Sequence, residues 1–312
     1  MLQQEILYLQ KATNQSVSKI RIVDIGAGVY HSKRRYQPLL DQAVAHVIGF
    51  EPNEDELGRM VSNKKDQFRF FPYAIGDGKK AYFNLTGLPQ CSSLYEPNQE
   101  LVNLFSGLRP RPGKIGAFGV RKRFPVDTRR LDDVPECSNS DYIKIDVQGA
   151  ELDVLRGAIN TLTDALVLEV EVEFVPLYKN QPLFSDIDCF LRDNNFLFHK
   201  LLDIQGRPIH PFLFDSKGLK TYSQVLWADA VFIRDSLLLE PSTVRAENLL
   251  KASLILNDVY QSYDLVYHLL SAFDRHSDTK TAIDYLNSLK QMRILKRSYM
   301  NLIDDLSDLE GR

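Results

Sequence analysis

The sequence contains little cysteine. Three cysteines occur among 312 residues, at Cys91, Cys137 and Cys189, and they are widely spaced, with no Cys-x-x-Cys pair. A disulfide framework and a cysteine-based zinc site are therefore not expected. The six histidines are scattered, without the spacing that would place two of them on one helix face. We therefore expect no metal site.

Long apolar runs and an excess of one charge are also missing. No stretch approaches the roughly 18 apolar residues that a membrane-spanning helix needs. The first residues do not show a basic segment followed by an apolar one, so no signal peptide is expected. Lys and Arg total 38 and Asp and Glu total 41, so the net charge is −3 and no global positive field exists to hold nucleic acid or an anionic membrane. We expect a cytoplasmic protein without a nucleic-acid partner. Hydrophobic residues make up 44% and charged residues 25% of the chain, as in ordinary globular proteins.

Strands and helices alternate along most of the sequence. Apolar periodicity predicts strands that are separated by helices or glycine turns, which implies a parallel sheet. The last two predicted strands are joined by a loop without a helix, which favours an antiparallel pair. The predicted strands are residues 19–25, 45–50, 68–75, 141–147, 165–172, 196–204 and 225–234, and the predicted helices are 2–12, 54–63, 151–162 and 184–194.

Two regions depart from this alternation. Residues 79–140 form an insertion rich in glycine, proline and basic residues, and long irregular segments of this kind are usually functional or disordered. Residues 243–309 are helical by period and carry apolar stripes that must be buried. We expect one domain over residues 1–240 and a helical extension over residues 241–312, and we predict that the extension pairs with its copy in a homodimer.

Chemically informative residues follow the first predicted strand. Asp24 lies inside that strand, and Gly26 and Gly28 follow in its glycine turn. Glycines let a ligand approach the backbone, and the helix that follows offers free N–H groups. Asp24 is positioned either to meet a ligand's ammonium group or to act as a satisfied polar group at a strand end. The third glycine of the dinucleotide fingerprint is absent, because position 31 is His31.

The next two strands end in residues that suit a nucleoside. Glu51 follows the second strand, where an acid accepts hydrogen bonds from both ribose hydroxyls, although it can also be a surface glutamate. Ile75 and Asp77 end the third predicted strand, where they suit an adenine ring and its exocyclic amine. All these features fall at the carboxyl ends of adjacent strands, where open α/β sheets bind ligands.

Five segments together resemble the FkbM family of methyltransferases: Val23–Gly28, Gly49–Asn53, Ala74–Asp77, Arg130–Asp133 and Tyr142–Leu155. The resemblance covers roughly residues 20–235. It implies a class I methyltransferase (Rossmann-like) α/β fold, with a seven-stranded, mostly parallel sheet and an antiparallel last strand. It also implies S-adenosylmethionine as methyl donor and, usually, O-methylation of a hydroxyl on a sugar or natural product. By this likeness Asp24, Gly26, Gly28, Glu51 and Asp146 surround the donor. We also include Pro52, Asn53, Ile75 and Asp77 in the predicted donor site. Two features depart from the family: Gln148 stands where Glu is common, and the helical extension has no counterpart.

Carboxylates on the fourth and fifth strands are the candidate catalytic groups. Asp146 either takes a proton from an acceptor hydroxyl or only positions a ligand, and Lys144 shares its face. Glu171 shares one strand face with Glu169 and Glu173, where it binds acceptor hydroxyls, a metal or a basic side chain, or faces solvent. We select Asp146 and Glu171 as catalytic.

Two segments and the overall function each allow more than one interpretation. The loop from Cys91 to Asn98 is either a lid that shapes the acceptor pocket or a structured turn, and the basic segment 31–35 is either an anion site or a solvated helix face.

Two functions compete with methyl transfer: an NAD-dependent oxidoreductase, which shares the glycine turn and strand-two acid, and a non-catalytic binding or assembly protein on the same fold.

Overall fold

The computed structural model describes residues 9, 17–28, 34–62, 66–110, 113–214, 224–292 and 294. The chain divides into two compact units. The larger unit comprises residues 19–34 and 45–235, and the smaller one comprises 1–18, 35–44 and 236–312. Apart from Leu9, the predicted helix at 2–12 lies outside the described residues, as do most of the basic segment 31–35 and the end of the extension.

The larger unit is built on a seven-stranded sheet of order β3-β2-β1-β7-β8-β10-β9. Strands β1, β2, β3, β7 and β8 run parallel, and β10 is antiparallel to both of its neighbours. This confirms the predicted class I methyltransferase arrangement. The strands are β1 Ile20–Ile25, β2 Ala45–Phe50, β3 Phe68–Phe71, β7 Tyr142–Ile145, β8 Val167–Glu173, β9 Phe196–Gly206 and β10 Val225–Arg234.

One face of this sheet forms the main core of the larger unit. Alternate residues of the central strands, such as Ile143 and Val170, are fully buried there, and helix residues such as Leu155 and Ile187 pack against them. The helices of this unit are α2 Glu54–Ser62, α3 Gln99–Val102, α4 Glu151–Arg156, α5 Ile159–Leu162 and α6 Phe184–Asp193. Because that face is apolar, the polar residues of the same strands lie on the opposite face.

The third predicted strand, 68–75, is wrong as a single element. It divides into β3 in the main sheet and β4 Ala74–Ile75, which pairs in parallel with β6 Val120–Arg129 in a separate three-stranded sheet. Pro72 stands between the two and has no N–H to donate to a strand ladder. The third strand of the small sheet is β5 Lys80–Thr86, antiparallel to β6.

The insertion is a packed substructure in its described part. Residues from Cys91 to Phe118 form a second apolar cluster with Leu177, Tyr178 and Leu226, which come from or follow the main-sheet strands. Backbone pairing adds to this packing, because Asn98 donates to the carbonyl of Leu177 at 2.8 Å. The segment is therefore anchored beside the carboxyl end of β8.

The smaller unit contains the helices expected of the extension, but it also includes residues 1–18 and 35–44, and its C-terminal part begins at Ser236 rather than near residue 241. Its helices are α1 Gln37–Asp41, α7 Asp235–Leu239, α8 Ala246–Asp258, α9 Tyr263–Ser277 and α10 Thr281–Gln291. The stripe residues Ile255, Leu269 and Leu286 are buried within a single chain. The apolar faces thus no longer require a second copy, and the homodimer stays a prediction. Among the described residues, no helix is long and apolar enough to cross a membrane.

Candidate functional site

The glycine turn after β1 is shaped by the neighbouring strand β7. Gly26 has φ +81°, and a Cβ built on it would lie 1.9 Å from the backbone carbonyl oxygen of Asp146. Its N–H, like that of Ala27, donates to the carbonyl of Phe50 at the end of β2. Glycine is therefore required at position 26 by the close approach of the protein's own backbone, in addition to any ligand.

Glu51 follows β2 and faces this turn. The residue is 6% exposed, and its Oε1 accepts a hydrogen bond from the backbone N–H of Asn53 at 2.9 Å. Burial raises the pKa of Glu51 from 4.5 to about 7, although N–H groups of Asn53 and Gly28 favour the charged form. The N–H donors therefore do not offset the cost of burying this carboxylate.

The remaining residues of the Gly49–Asn53 motif have different roles. Asn53 Oδ1 accepts hydrogen bonds from the N–H groups of Asp55 and Glu56, at 3.1 and 3.4 Å, so Asn53 caps the start of α2. Pro52 is half-buried between Glu51 and this cap. A capping role accounts for Asn53 without a ligand, and its assignment to the donor site stays a prediction.

A chain of alternating charges links β1 to β7. Lys144 Nζ lies 3.2 Å from Asp146 Oδ2 and 4.0 Å from Asp24 Oδ1, and Arg34 Nε lies 4.0 Å from Asp24 Oδ2. Burial lowers the pKa of Lys144, but the carboxylates of Asp146 and Asp24 outweigh it, so Lys144 stays charged. Burial likewise raises the pKa of Asp146, but Lys144 and a hydrogen bond from Gln148 bring it below its usual range. Asp146 is thus an ionised carboxylate.

Gln148 connects Asp146 to Glu171 on the next strand. Its Nε2 donates to Asp146 Oδ1 at 3.0 Å and also to Glu171 Oε2. Its Oε1 accepts a hydrogen bond from Tyr178 Oη at 3.3 Å, and Tyr178 Oη also contacts the carbonyl oxygen of Cys91 at 2.9 Å. Gln148 has φ +59°, a left-handed conformation that is uncommon outside glycine. An amide at this position thus joins two carboxylates and the insertion.

The glutamates of β8 do share one face, as predicted. Burial and the nearby charge of Asp146 raise the pKa of Glu171 well above its usual value, and burial does the same for Glu173. Glu173 is 2% exposed, whereas Glu171 is half-buried and reaches Gln148. Glu169 accepts a hydrogen bond from Tyr142 Oη at 3.1 Å. Glu171 is therefore the member of this row that lies beside Asp146.

Ile75 and Asp77 are displaced from the main sheet because they follow the break at Pro72. Ile75 is buried in the main apolar core, and the carboxylate of Asp77 is bonded to Lys79. The side chain of Lys79 and a hydrogen bond to its N–H lower the pKa of Asp77. These contacts account for both residues without an adenine, and their donor-site assignment stays a prediction.

Two residues of this region were missed by the sequence reasoning. Glu151 is buried at the start of α4, and its two oxygens accept hydrogen bonds from the N–H groups of Val147 and Gly149, both at 2.9 Å. It thereby holds the turn after β7 that carries Asp146 and Gln148, and burial raises the pKa of Glu151 to about 8. An acid in the first turn of a predicted helix was the available signal. Tyr178 lies in a loop, where the sequence offers no comparable signal.

The loop from Cys91 to Asn98 is a structured turn held by hydrogen bonds. The N–H of Tyr95 donates to Ser93 Oγ at 2.9 Å, and Tyr95 Oη donates to Asp153 Oδ2 at 2.9 Å. Lys179 N–H donates to the carbonyl of Glu96 at 2.8 Å. Within the described ranges, no group of three or more His, Cys, Asp or Glu side chains is arranged to hold a metal ion.

Comparison with known proteins gives matches of two kinds. The family model described as the methyltransferase FkbM domain matches residues 24–198. A relative, the 2-O-methyltransferase NoeI of Sinorhizobium fredii (strain NBRC 101917 / NGR234), is 31% identical over 188 residues, which cover 54% of this chain and 69% of NoeI.

Solved methyltransferase structures are more distant. Magnesium protoporphyrin IX methyltransferase (ChlM) from Synechocystis PCC 6803, with bound SAM, is 15% identical with a TM-score of 0.33, covering 72% of this chain and 76% of ChlM. A putative methyltransferase from Thermoplasma acidophilum is 9% identical with a TM-score of 0.37, covering 75% and 76% of the two chains. Likeness at this level carries no argument about the site.

Proposed function

Because this chain belongs to the FkbM methyltransferase family, with S-adenosylmethionine as its methyl donor, we propose that it O-methylates a hydroxyl of a sugar or a glycosylated metabolite. The name of its relative NoeI, a 2-O-methyltransferase, supports transfer to oxygen. Family membership also removes the oxidoreductase alternative. The observation that carries the proposal is the pairing of an ionised Asp146 with Glu171 through Gln148 at the carboxyl ends of β7 and β8.

The residues at the end of β2 fit the donor. Glu51 is a buried carboxylate whose pKa is raised to about 7, so its burial is not fully offset by its N–H donors. Two ribose hydroxyls would donate to this carboxylate and favour its charged form. In our proposal Glu51 therefore holds the ribose, while Asp24, Gly26 and Gly28 border the amino-acid part of the donor, and Asp146 lies beside both donor and acceptor.

The bound donor supplies an electrophilic methyl group, and the protein's own side chains place and activate the acceptor. Asp146 is ionised, and its side chain is 28% exposed, so it is accessible as a proton acceptor. In our proposal it would take the proton of the acceptor hydroxyl, while the bound donor would supply the methyl group to that oxygen. Lys144 keeps Asp146 ionised before the reaction, and alignment of the hydroxyl contributes much of the rate.

In our proposal Glu171 binds a second hydroxyl of the acceptor. Burial and the charge of Asp146 raise the pKa of Glu171 well above its usual value, which favours the protonated form that can donate a hydrogen bond. A sugar offers neighbouring hydroxyls, so one of them can accept from Glu171 while the other donates to Asp146. Gln148 fixes the separation of these two groups, because its Nε2 is bonded to both. In our proposal Gln148 is a positioning residue.

Methyl transfer to a panel of free and glycosylated hydroxyl compounds tests this proposal. The protein is incubated with S-adenosylmethionine, and S-adenosylhomocysteine and the mass of the acceptor are followed by mass spectrometry. We expect a gain of one methyl group on sugars with a free hydroxyl and none on the same sugars with that hydroxyl blocked. Methylation of nitrogen or carbon acceptors instead, with no sugar product, would contradict the proposal. The control variant Asp193→Asn, exposed at the end of α6, should retain wild-type turnover.

A further inference from the structure

A strongly basic stretch lies within a chain whose net charge is negative. Residues 101–126 contain six Arg and Lys residues and no Asp or Glu, whereas the whole sequence has a net charge of −3. Residues 204–214 likewise contain Arg207 and His210 and no acid. Positive charge is thus concentrated in residues 101–126, whereas Arg207 in the second segment is buried over the ring of Trp227.

The structure joins these two segments. Phe105 and Ile209 form an antiparallel bridge, His210 N–H donates to the carbonyl of Leu104 at 2.7 Å, and Ser106 N–H donates to the carbonyl of Pro208 at 2.9 Å. Both segments belong to the larger unit. The two segments therefore lie side by side at residues 104–106 and 208–210.

Large apolar side chains are exposed on these two segments. Leu104 is 50% exposed, Ile209 53%, Phe212 64% and Leu213 63%. Exposed Arg109 lies on the same segment as Leu104, with its N–H bonded to the carbonyl of Phe105 at 3.1 Å. We call these five residues the apolar–basic surface. A cluster of exposed apolar side chains on a soluble domain indicates an interaction site.

The apolar–basic surface is built on a buried support. Phe105 and Leu108 alternate with its exposed residues and are buried with Tyr178 in the second apolar cluster. Because backbone pairing and core packing already fix both segments, little conformational entropy is lost when the exposed side chains enter a partner. Tyr178 also contacts Gln148, so this support is continuous with the candidate site.

We propose that the apolar–basic surface docks on an anionic lipid bilayer. Apolar side chains enter the acyl boundary of a membrane, while Arg and Lys beside them attract anionic headgroups. The six Arg and Lys residues of 101–126, with no Asp or Glu among them, fit a negatively charged partner, and the exposed leucine, isoleucine and phenylalanine favour lipid over nucleic acid. Docking would bring the candidate site near acceptors carried in a membrane, but it does not depend on the acceptor proposed above.

Vesicle co-sedimentation of the full chain tests this inference. We expect binding to vesicles of phosphatidylcholine with about a third phosphatidylglycerol, weaker binding to pure phosphatidylcholine, and a decline with salt. The double variant Phe212→Ser/Leu213→Ser and the charge variant Arg109→Glu should each lower the partition coefficient by about tenfold or more. Leu239→Ser, at a residue 66% exposed in the smaller unit, and Lys19→Glu, at an exposed lysine outside the surface, are the matched controls and should bind as wild type.

Each other outcome overturns the inference. These are no binding to anionic vesicles, surface variants that bind as wild type, and binding of RNA without binding of vesicles. Thermal unfolding of each variant checks that it is folded, and calorimetric binding of S-adenosylhomocysteine should be unchanged. That second measurement separates failure of the docking surface from failure of the proposed methyltransferase site.

Discussion

Protonation of Glu51 should control donor affinity. Burial raises the pKa of this carboxyl to about 7. Ribose hydroxyls donate hydrogen bonds more strongly to the ionised carboxylate than to the protonated carboxyl group. If the ionised form alone binds, about a tenth of the free protein is competent at pH 6 and about nine tenths at pH 8. The Kd for S-adenosylhomocysteine should therefore be about tenfold higher at pH 6 than at pH 8.

Calorimetric titration of the wild type, Glu51→Gln and the exposed control Glu54→Gln at about pH 6, 7 and 8 measures this dependence. Glu51→Gln should bind more weakly by about 1–3 kcal/mol at the highest pH, because the ribose hydroxyls lose their charged acceptor. It should also lose the tenfold pH dependence that Glu54→Gln keeps. A pH dependence of the same size in Glu51→Gln would refute the assignment, because the proton would then belong to another group.

The same pKa predicts how the donor-free protein responds to pH. A carboxyl with a raised pKa in the folded state stabilises the fold fully below about pH 4.5 and loses that contribution as pH rises through about 7. The rise in pKa from 4.5 to about 7 corresponds to about 3 kcal/mol in the free energy of unfolding. In denaturant unfolding at several pH values, the free energy of unfolding should decline less with rising pH in Glu51→Gln than in the wild type.

Four further predictions concern the site and the extension. Asp146→Asn should lower turnover far more than it lowers donor affinity, when turnover is measured by kinetics and affinity by calorimetry. Equal losses of turnover and affinity would show that Asp146 only binds the donor. Gln148→Glu should lower turnover at neutral pH and shift its pH profile, because a third carboxyl would adjoin Asp146 and Glu171; an unchanged profile would count against the positioning role. Gly26→Ala should lose several kcal/mol of stability or fail to fold, because its Cβ would meet the carbonyl of Asp146 at 1.9 Å; wild-type denaturant unfolding would disprove this. Light scattering at tens of micromolar should give the mass of a dimer if the extension pairs, and a single-chain mass would exclude that prediction.

The main sheet was predictable because its signals are local. Buried parallel strands are continuous apolar runs, such as the first half of β8, and the sequence before β10 shows no helical periodicity that would indicate a parallel crossover. The split of residues 68–75 was harder to anticipate, since Phe68 to Ile75 is apolar throughout except at Arg69 and Pro72. Pro72 was the available signal, because proline interrupts a strand ladder.

Residues 35–44 show a limit of another kind. They lie between β1 and β2, where a crossover helix is expected, yet they belong to the smaller unit together with the chain after Ser236. Gln42 Nε2 donates to Asp258 Oδ2 at 2.7 Å, a contact across 216 residues of sequence. Contacts between residues so far apart in sequence do not affect local periodicity. Periodicity alone therefore cannot assign residues 35–44 to the smaller unit.

The candidate site shows the same division between local and long-range information. Asp24, Glu51 and Asp146 could be selected from sequence because each lies at the carboxyl end of a recognisable strand. The pairing of Asp146 with Glu171 depends on which strands are neighbours and on Gln148, whose left-handed φ of +59° brings its amide between them. Tyr178 depends on the fold of the insertion and could not be inferred from its own surroundings in the sequence.

The pKa values of Asp146 and Glu171 shift in opposite directions although Gln148 contacts both. Lys144, at 3.2 Å, holds the pKa of Asp146 below its usual range, whereas burial and neighbouring carboxylates raise the pKa of Glu171 well above its usual value. In our proposal this difference makes Asp146 the base and Glu171 the hydrogen-bond donor. A glutamate at position 148 would add a charge that disfavours the ionised form of Asp146, whereas the neutral amide stabilises that form and still binds Glu171. The departure of Gln148 from the common glutamate is therefore consistent with a site in which one carboxylate accepts a proton and its neighbour donates a hydrogen bond.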